Sequence, residues 1–224
     1  MKRKTNLLRS IFVILLLCNS TAWSDGFYVG LGGGPEAIDF KQSATISRPG
    51  SYLVNDDSRL SGTGLFGSIF GGYAWIHRSF YLAGEGNFEI NNANHQRSND
   101  EFIHQTFSSV SYRLPHAFGL NLLPGYLFTP TTLFYARIGY ALGHLKVSSS
   151  DISIPSFNKN LNGFSFGLGV NQVLSQHVAM RMEYHQINYQ DANVTSYDPV
   201  GGVAKATTIS PTAGQVEFAL IYNI

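Results

Sequence analysis

The 224-residue chain has one cysteine, Cys18. It lies in an N-terminal stretch that reads as a secretory leader. Lys2, Arg3, Lys4 and Arg9 precede the apolar run Ile11–Cys18, and small residues follow at Ala22 and Ser24. Basic region, short apolar region and small residues make a signal peptide cut before Asp25. The run is far shorter than the roughly 20 residues a spanning helix needs. Leu17 precedes Cys18 where lipoprotein processing wants a small residue, which argues against a lipid anchor. The expected division is therefore residues 1–24 as leader and 25–224 as one barrel domain. The mature chain is then exported yet free of cysteine, which excludes a small disulfide-stapled domain.

Charge is scarce too. Charged residues make up 13% of the chain, about half the globular average. The leader carries four of the 15 basic residues and none of the 14 acidic ones, so the remainder is slightly acidic. No basic patch points to nucleic acid. Beyond the leader no apolar run reaches spanning length, which excludes a helical membrane protein. A transmembrane barrel survives these exclusions, because its strands hide their hydrophobicity in alternation.

Alternation is what the chain has in abundance. Between Gly62 and Ile90, Leu65, Ile69, Tyr73 and Trp75 fall in one register, and Gly64, Ser68, Gly72 and Ala74 in the other. Phe66 and Phe70 are apolar exceptions in the second set. After a break at Ile76–Ser79, Phe80, Leu82, Phe88 and Ile90 oppose Tyr81, Ala83, Glu85, Asn87 and Glu89. A period of two is the mark of a β-strand. The same pattern recurs at Phe27–Gly34, Tyr112–Leu127, Leu133–Leu145, Gly163–Val173, His177–Tyr189 and Gly214–Ile224, making eight candidate strands.

The apolar register carries no formal charge through its middle. Glu85, Glu89, Arg137, Arg181, Glu183 and Glu217 all fall in the opposite register. A charge at the bilayer midplane costs roughly 2–4 kcal/mol, and such segregation avoids it. A soluble sandwich would also alternate, but its outward face would be rich in Lys, Glu and Asp rather than Gly, Ala and Ser. Interior glycines suit a crowded small barrel. Aromatics gather toward the strand ends, giving an expected lipid-facing belt of Phe27, Tyr73, Trp75, Phe80, Tyr126, Phe134, Tyr140, Tyr184 and Tyr222.

The connectors alternate in length. Those at Ile76–Ser79, Phe128–Thr132 and Leu174–Gln176 are short. Those at Lys41–Leu60, Asn91–Ser111, Lys146–Asn162 and Gln190–Thr212 are long, polar and rich in Ser, Asn, Asp and Gly, and are expected to be loops. Short periplasmic turns and long surface loops are the outer-membrane pattern. The expected fold is an all-β, eight-stranded antiparallel up-and-down transmembrane barrel in the outer membrane, with both termini in the periplasm.

The segments FGGYAW, FYLAGEGNFEI, LPGYLF, YARIGY, GLGV and VAMRMEY, in that order and spacing, resemble the OmpA/OmpX-type eight-stranded barrel family. The resemblance covers nearly all of the chain after the leader. It implies an interior charge network with Glu85 at its hub and Arg181 and Arg137 as partners. Leu123 stands where OmpA has a lysine and Asn171 where it has a glutamate, which implies a smaller network. It also implies recognition by the barrel-assembly machinery through the C-terminal strand, although Ile224 stands where that signal usually has an aromatic. It further implies a stand-alone member, with no peptidoglycan-binding domain expected after the barrel.

Three functions compete at this point. A structural envelope protein would use its long loops, with Tyr52, Phe102, Phe107, Phe157 and Tyr197 as recognition candidates, to meet lipopolysaccharide or a host or surface ligand. A lipid A-modifying enzyme would need a serine, a histidine and a carboxylate together. His77-Arg78-Ser79 has that look but lies in a short turn, while His144 is expected outward and His185 inward beside Glu183. A narrow channel would need open space that eight strands barely leave. His95 and His104 are spaced too loosely in a loop to suggest a metal site. We expect no enzyme, cofactor or metal, and the envelope reading leads.

Overall fold

The computed structural model describes residues 25–48, 52–99, 108–149, 156–198 and 203–224. These residues form eleven strands and, among the described residues, no helix. In chain order they are β1 (Gly26–Arg48), β2 (Tyr52–His77), β3 (Phe80–Asn91), β4 (Asn94–Asn99), β5 (Ser108–Arg113) and β6 (His116–Leu127), then β7 (Thr132–Ser149), β8 (Phe157–Val173), β9 (Val178–Tyr189), β10 (Ala192–Asp198) and β11 (Val203–Asn223). Antiparallel pairing runs β1–β2–β3–β6–β7–β8–β9–β11, and β11 pairs back onto β1. The sheet is thus a closed, eight-stave up-and-down barrel. Closure removes the two exposed edges that an open sheet would present. The β4–β5 hairpin prolongs β3 and β6, and β10 prolongs β9.

The staves are longer than the sequence suggests. Much of the four stretches expected to be loops is strand. β1 has 23 residues and pairs with β2 without a break from Gly26↔Ala74 to Arg48↔Tyr52. At about 3.3 Å per residue it extends some 75 Å, whereas a membrane needs only about 9–11 residues of strand. The cause is visible in the side chains. Beyond Gly34 the alternation continues with its polarity reversed: Ile38, Phe40 and Ala44 point inward and are buried, while Asp39, Lys41, Ser43 and Thr45 are exposed. The Ser, Asp and Thr residues that resemble a loop occupy the outer face of a strand whose inner face is apolar.

Inside, the barrel is layered. At the short-turn end Tyr28, Phe70, Tyr81, Leu123, Leu133, Tyr135 and Ile221 form one apolar cluster. In the upper half Ile38, Phe40, Leu114, Leu145, Leu161, Ile187, Tyr189 and Ile209 form another. A belt of buried polar and charged side chains lies in the intervening inward registers. Outside the lower half, Leu31, Ile69, Leu120, Phe166, Leu168 and Leu220 are exposed in the register that meets lipid.

Two glycines make room for the belt. A Cβ on Gly30 would lie 2.2 Å from the Phe70 ring, and one on Gly169 would lie 2.3 Å from the Tyr135 ring. Each ring lies over its register partner on the adjacent strand, which has no side chain there.

Candidate functional site

Glu85 on β3 receives both arginines. Arg137 Nη2 on β7 is 2.9 Å from its Oε1, and Arg181 Nη2 on β9 is 2.8 Å from its Oε2. Tyr28 donates its hydroxyl to the same carboxylate at 2.9 Å. Arg181 also lies 4.3 Å from the centre of the Phe70 ring and 5.4 Å from that of Tyr135. An aromatic face attracts a guanidinium through its quadrupole, and most strongly when water is absent. Arg181 has no exposed surface. A buried ion pair offsets its desolvation only when further hydrogen bonds satisfy the remaining lone pairs. The tyrosine hydroxyl and the aromatic faces supply that surrounding.

The network then climbs the lumen. Arg137 Nε lies 2.6 Å from Glu183 Oε1, which lies 3.0 Å from His185 Nδ1. Tyr135 donates to the other Glu183 oxygen. His185 Nε2 lies 3.8 Å from Glu89. Gln215 donates from one amide nitrogen to Glu89 at 3.2 Å and to Glu36 at 2.7 Å. Asn91 also donates to Glu36, at 3.1 Å. Glu217 accepts a hydrogen bond from Ser68. Asn171 accepts from Arg181 Nε at 3.3 Å, and Leu123 belongs to the lower apolar cluster. The network therefore lacks a member at Leu123 but reaches higher, through His185 and Gln215 to Glu36.

Tyr28, Glu36, Tyr135 and Gln215 escaped the sequence reading as network members. The signal for Gln215 was its inward register on the last strand. Glu36 was out of reach because the first strand was expected to end at Gly34. Tyr28 and Tyr135 carry no charge, and only the closed ring brings them to Glu85 and Glu183.

The lumen is filled. Leu133, Leu145 and Ala179 have no exposed surface, and they belong to the two clusters that cap the belt. Within the belt a void of about 10 Å³ is lined by Asn87, Glu89, Asn121, Arg137 and Ser165, room for one water at most. His185 is sealed in with Glu183 and Glu89, whereas His77 and Ser79 lie at a short turn. The turn residues His77 and Ser79 are thus not grouped with the buried His185, Glu183 and Glu89. Among the described residues no three His, Cys, Asp or Glu side chains are grouped to hold a metal ion.

The nine belt aromatics all point outward and are exposed. Phe27, Tyr73, Trp75, Phe80, Tyr126, Phe134 and Tyr222 lie near the short-turn end, while Tyr140 and Tyr184 stand further up their strands. Phe27 packs edge-on against Tyr73 at 4.9 Å, and Phe80 against Tyr126 at 5.8 Å. Of the loop candidates, Tyr52 opens β2, Phe157 opens β8 and Tyr197 lies in β10. Phe102, Phe107 and His104 lie outside the described residues, as do the side chains of Tyr52, Phe157, Tyr197 and His95.

Residues 10–214 match the family model described as the outer membrane protein beta-barrel domain, and the chain belongs to that family. It is an integral protein of the outer membrane. No curated protein matches it. Among solved structures it is similar to the outer membrane protease OmpT from Escherichia coli, with a TM-score of 0.51 and 7% identity, covering 90% of this chain and 99% of that one. It is similar to OprG from Pseudomonas aeruginosa, with a TM-score of 0.50 and 15% identity over 89% and 98% of the two chains. Neisserial surface protein A gives a TM-score of 0.42 and 14% identity over 85% and 97%. At these identities the likeness concerns the barrel fold alone, and the protease activity belongs to OmpT.

Proposed function

We propose that the protein is a non-enzymatic structural barrel that presents a binding surface for adhesion or ligand contact outside the cell. In this reading residues 1–24 are removed on export. Both termini and the short turns face the periplasm, and the upper half of the barrel stands in the external medium. The barrel-assembly machinery reads the last strand, where Phe218, Leu220 and Tyr222 alternate toward lipid. Outer-membrane lipid and lipopolysaccharide surround the wall.

The observation that carries the reading is the upper half itself. It prolongs all eight staves, as the paired sets β2–β1–β11–β10 and β4–β5–β7–β8, around its own apolar core and beyond what a membrane requires. A filled lumen leaves that extension no use as a conduit, and a rigid pedestal suits the display of the segments that join its strands. Loops held on a rigid scaffold are where recognition concentrates.

The test is to replace residues 49–51, 100–107, 150–155 and 199–202 with short Gly-Ser segments, keeping the described strands. Folding is verified by the heat-dependent shift in gel mobility. Binding of barrel-expressing cells to host cells or matrix should fall to background. Binding that persists with all four segments replaced would remove the reading.

A further inference from the structure

The outward face of β5, β6 and β7 carries four cationic or cation-capable side chains in two cross-strand pairs. Arg113 and Lys146 are register partners and both are exposed. One step toward the membrane, the His116 and His144 rings stack with centroids 5.0 Å apart and planes 5° from parallel. Asn160 Oδ1 lies 2.7 Å from His144 Nδ1. Like charges directly opposite one another in a sheet are unfavourable. Here one such pair sits above two imidazoles, and among the described residues no carboxylate forms an ion pair with Arg113 or Lys146.

The described outward carboxylates of the upper half lie elsewhere. Asp39, Asp57 and Asp191 are on β1, on β2 and beside β10. There they share the wall with Lys41 and Arg59, and Asp39 and Asp191 accept hydrogen bonds from Ser61 and Ser210. One side of the upper wall is thus mixed in charge, and the other is cationic.

The height of the cationic side decides what it meets. His116 lies 6.5 Å from Phe88, which packs 4.8 Å from Phe118. Phe118 and Leu142 are exposed in the lipid-facing register directly below the two histidines. A ligand seated here has hydrocarbon contact at one end and guanidinium and ammonium donors at the other. Arginine and lysine are the usual phosphate partners, the first as a planar fork and the second as a point charge.

We propose that this rim binds the phosphates of a phosphorylated glycolipid, with Arg113 and Lys146 on the phosphates and the acyl chains against Phe118 and Leu142. The site uses none of the four connecting segments and does not depend on what they bind. The orientation given above only names the leaflet.

The test uses the folded full barrel in detergent, with lipid A as the probe in its diphosphorylated and enzymatically dephosphorylated forms. Bound lipid is counted by native mass spectrometry. The diphosphorylated lipid should be retained at least tenfold better than the dephosphorylated one, and the difference should shrink with added salt. The double variant Arg113→Gln/Lys146→Gln should lose that preference, and Lys41→Gln/Arg59→Gln on the opposite wall should keep it. Equal retention of the two lipid forms overturns the proposal. So does an Arg113/Lys146 variant that keeps the preference, or equal loss in the Lys41/Arg59 variant, which would mean diffuse charge. A soluble sulfated polysaccharide or inorganic phosphate that binds the same residues while lipid A does not would also overturn it, since the apolar half of the site would then be idle. Both double variants replace exposed side chains, and unchanged gel mobility confirms their fold.

Discussion

The lower and upper halves of this barrel use the same strands with opposite polarity. In β1 the odd residues point outward throughout. Phe27, Val29 and Leu31 meet lipid, whereas Asp39, Lys41 and Ser43 meet water. The inward residues change in the other sense, from Gly30 and Gly32 to Ile38 and Phe40. β7 repeats this, with Ile138, Tyr140 and Leu142 outward below Lys146, and Arg137 inward below Leu145 and Val147. No shift of register is needed, because the side-chain period is two and only the residue types change. Hydrocarbon outside leaves the inside as the only place for charge. Water outside restores the drive to bury apolar surface within. The height at which hydrophobicity changes sides therefore marks the membrane surface.

The comparison is most open to attack at its centre. Arg181→Ala removes the cation between Phe70, Tyr135 and Glu85, and breaking a buried pair by removing one partner costs about 3–5 kcal/mol. Urea unfolding in lipid vesicles should show a loss of that size. An unchanged midpoint would mean that the belt adds little to the lower half. A paired substitution tests the two outer faces directly. Leu168→Arg, in the middle of the lipid-facing surface, should cost roughly 2–4 kcal/mol. Ser43→Arg, on the upper wall, should stay within about 0.5 kcal/mol. Similar costs at the two sites would abolish the distinction between the halves.

Smaller effects refine it. Gly169→Ala drives a methyl group against the Tyr135 ring that serves Glu183, and overpacking of this kind costs about 1–3 kcal/mol. A cost near zero, read from the same unfolding curves, would show that the ring has room to move. Last comes Arg78, whose φ of 59° places it in the left-handed region of a short turn. Glycine adopts that conformation freely. Arg78→Gly should stabilise the barrel by less than about 1 kcal/mol, and destabilisation would mean that the arginine side chain is held by a neighbour.

Much of the lower half was legible in the residues. The uncharged outward register and the inward placement of Glu85, Arg137, Arg181, Glu183 and Glu217 follow from alternation and the cost of charge in hydrocarbon. The upper half was misread as loop because Ser, Asn, Asp and Gly are loop formers by composition. The apolar partners of those residues, such as Ala44 with Ser43 or Leu161 with Asn160, sit one residue away on the other face. Read as strands they alternate cleanly. The resemblance-based hub at Glu85 pointed to the arginines, but Tyr28 and Phe70 come from strands whose place in the ring no local pattern states.

Taken alone, the sequence settled the alternation, the sign of each face below the membrane surface and the number of staves. These are local properties of a chain whose neighbouring side chains point opposite ways. Which interior groups meet was decided only when β11 closed onto β1, because closure sets the distances across the lumen. Arg181 reaches Glu85, and Gln215 reaches Glu36, from strands far apart in the chain. The stacked His116 and His144 needed the register of β6 on β7, which backbone hydrogen bonds impose and residue types do not reveal.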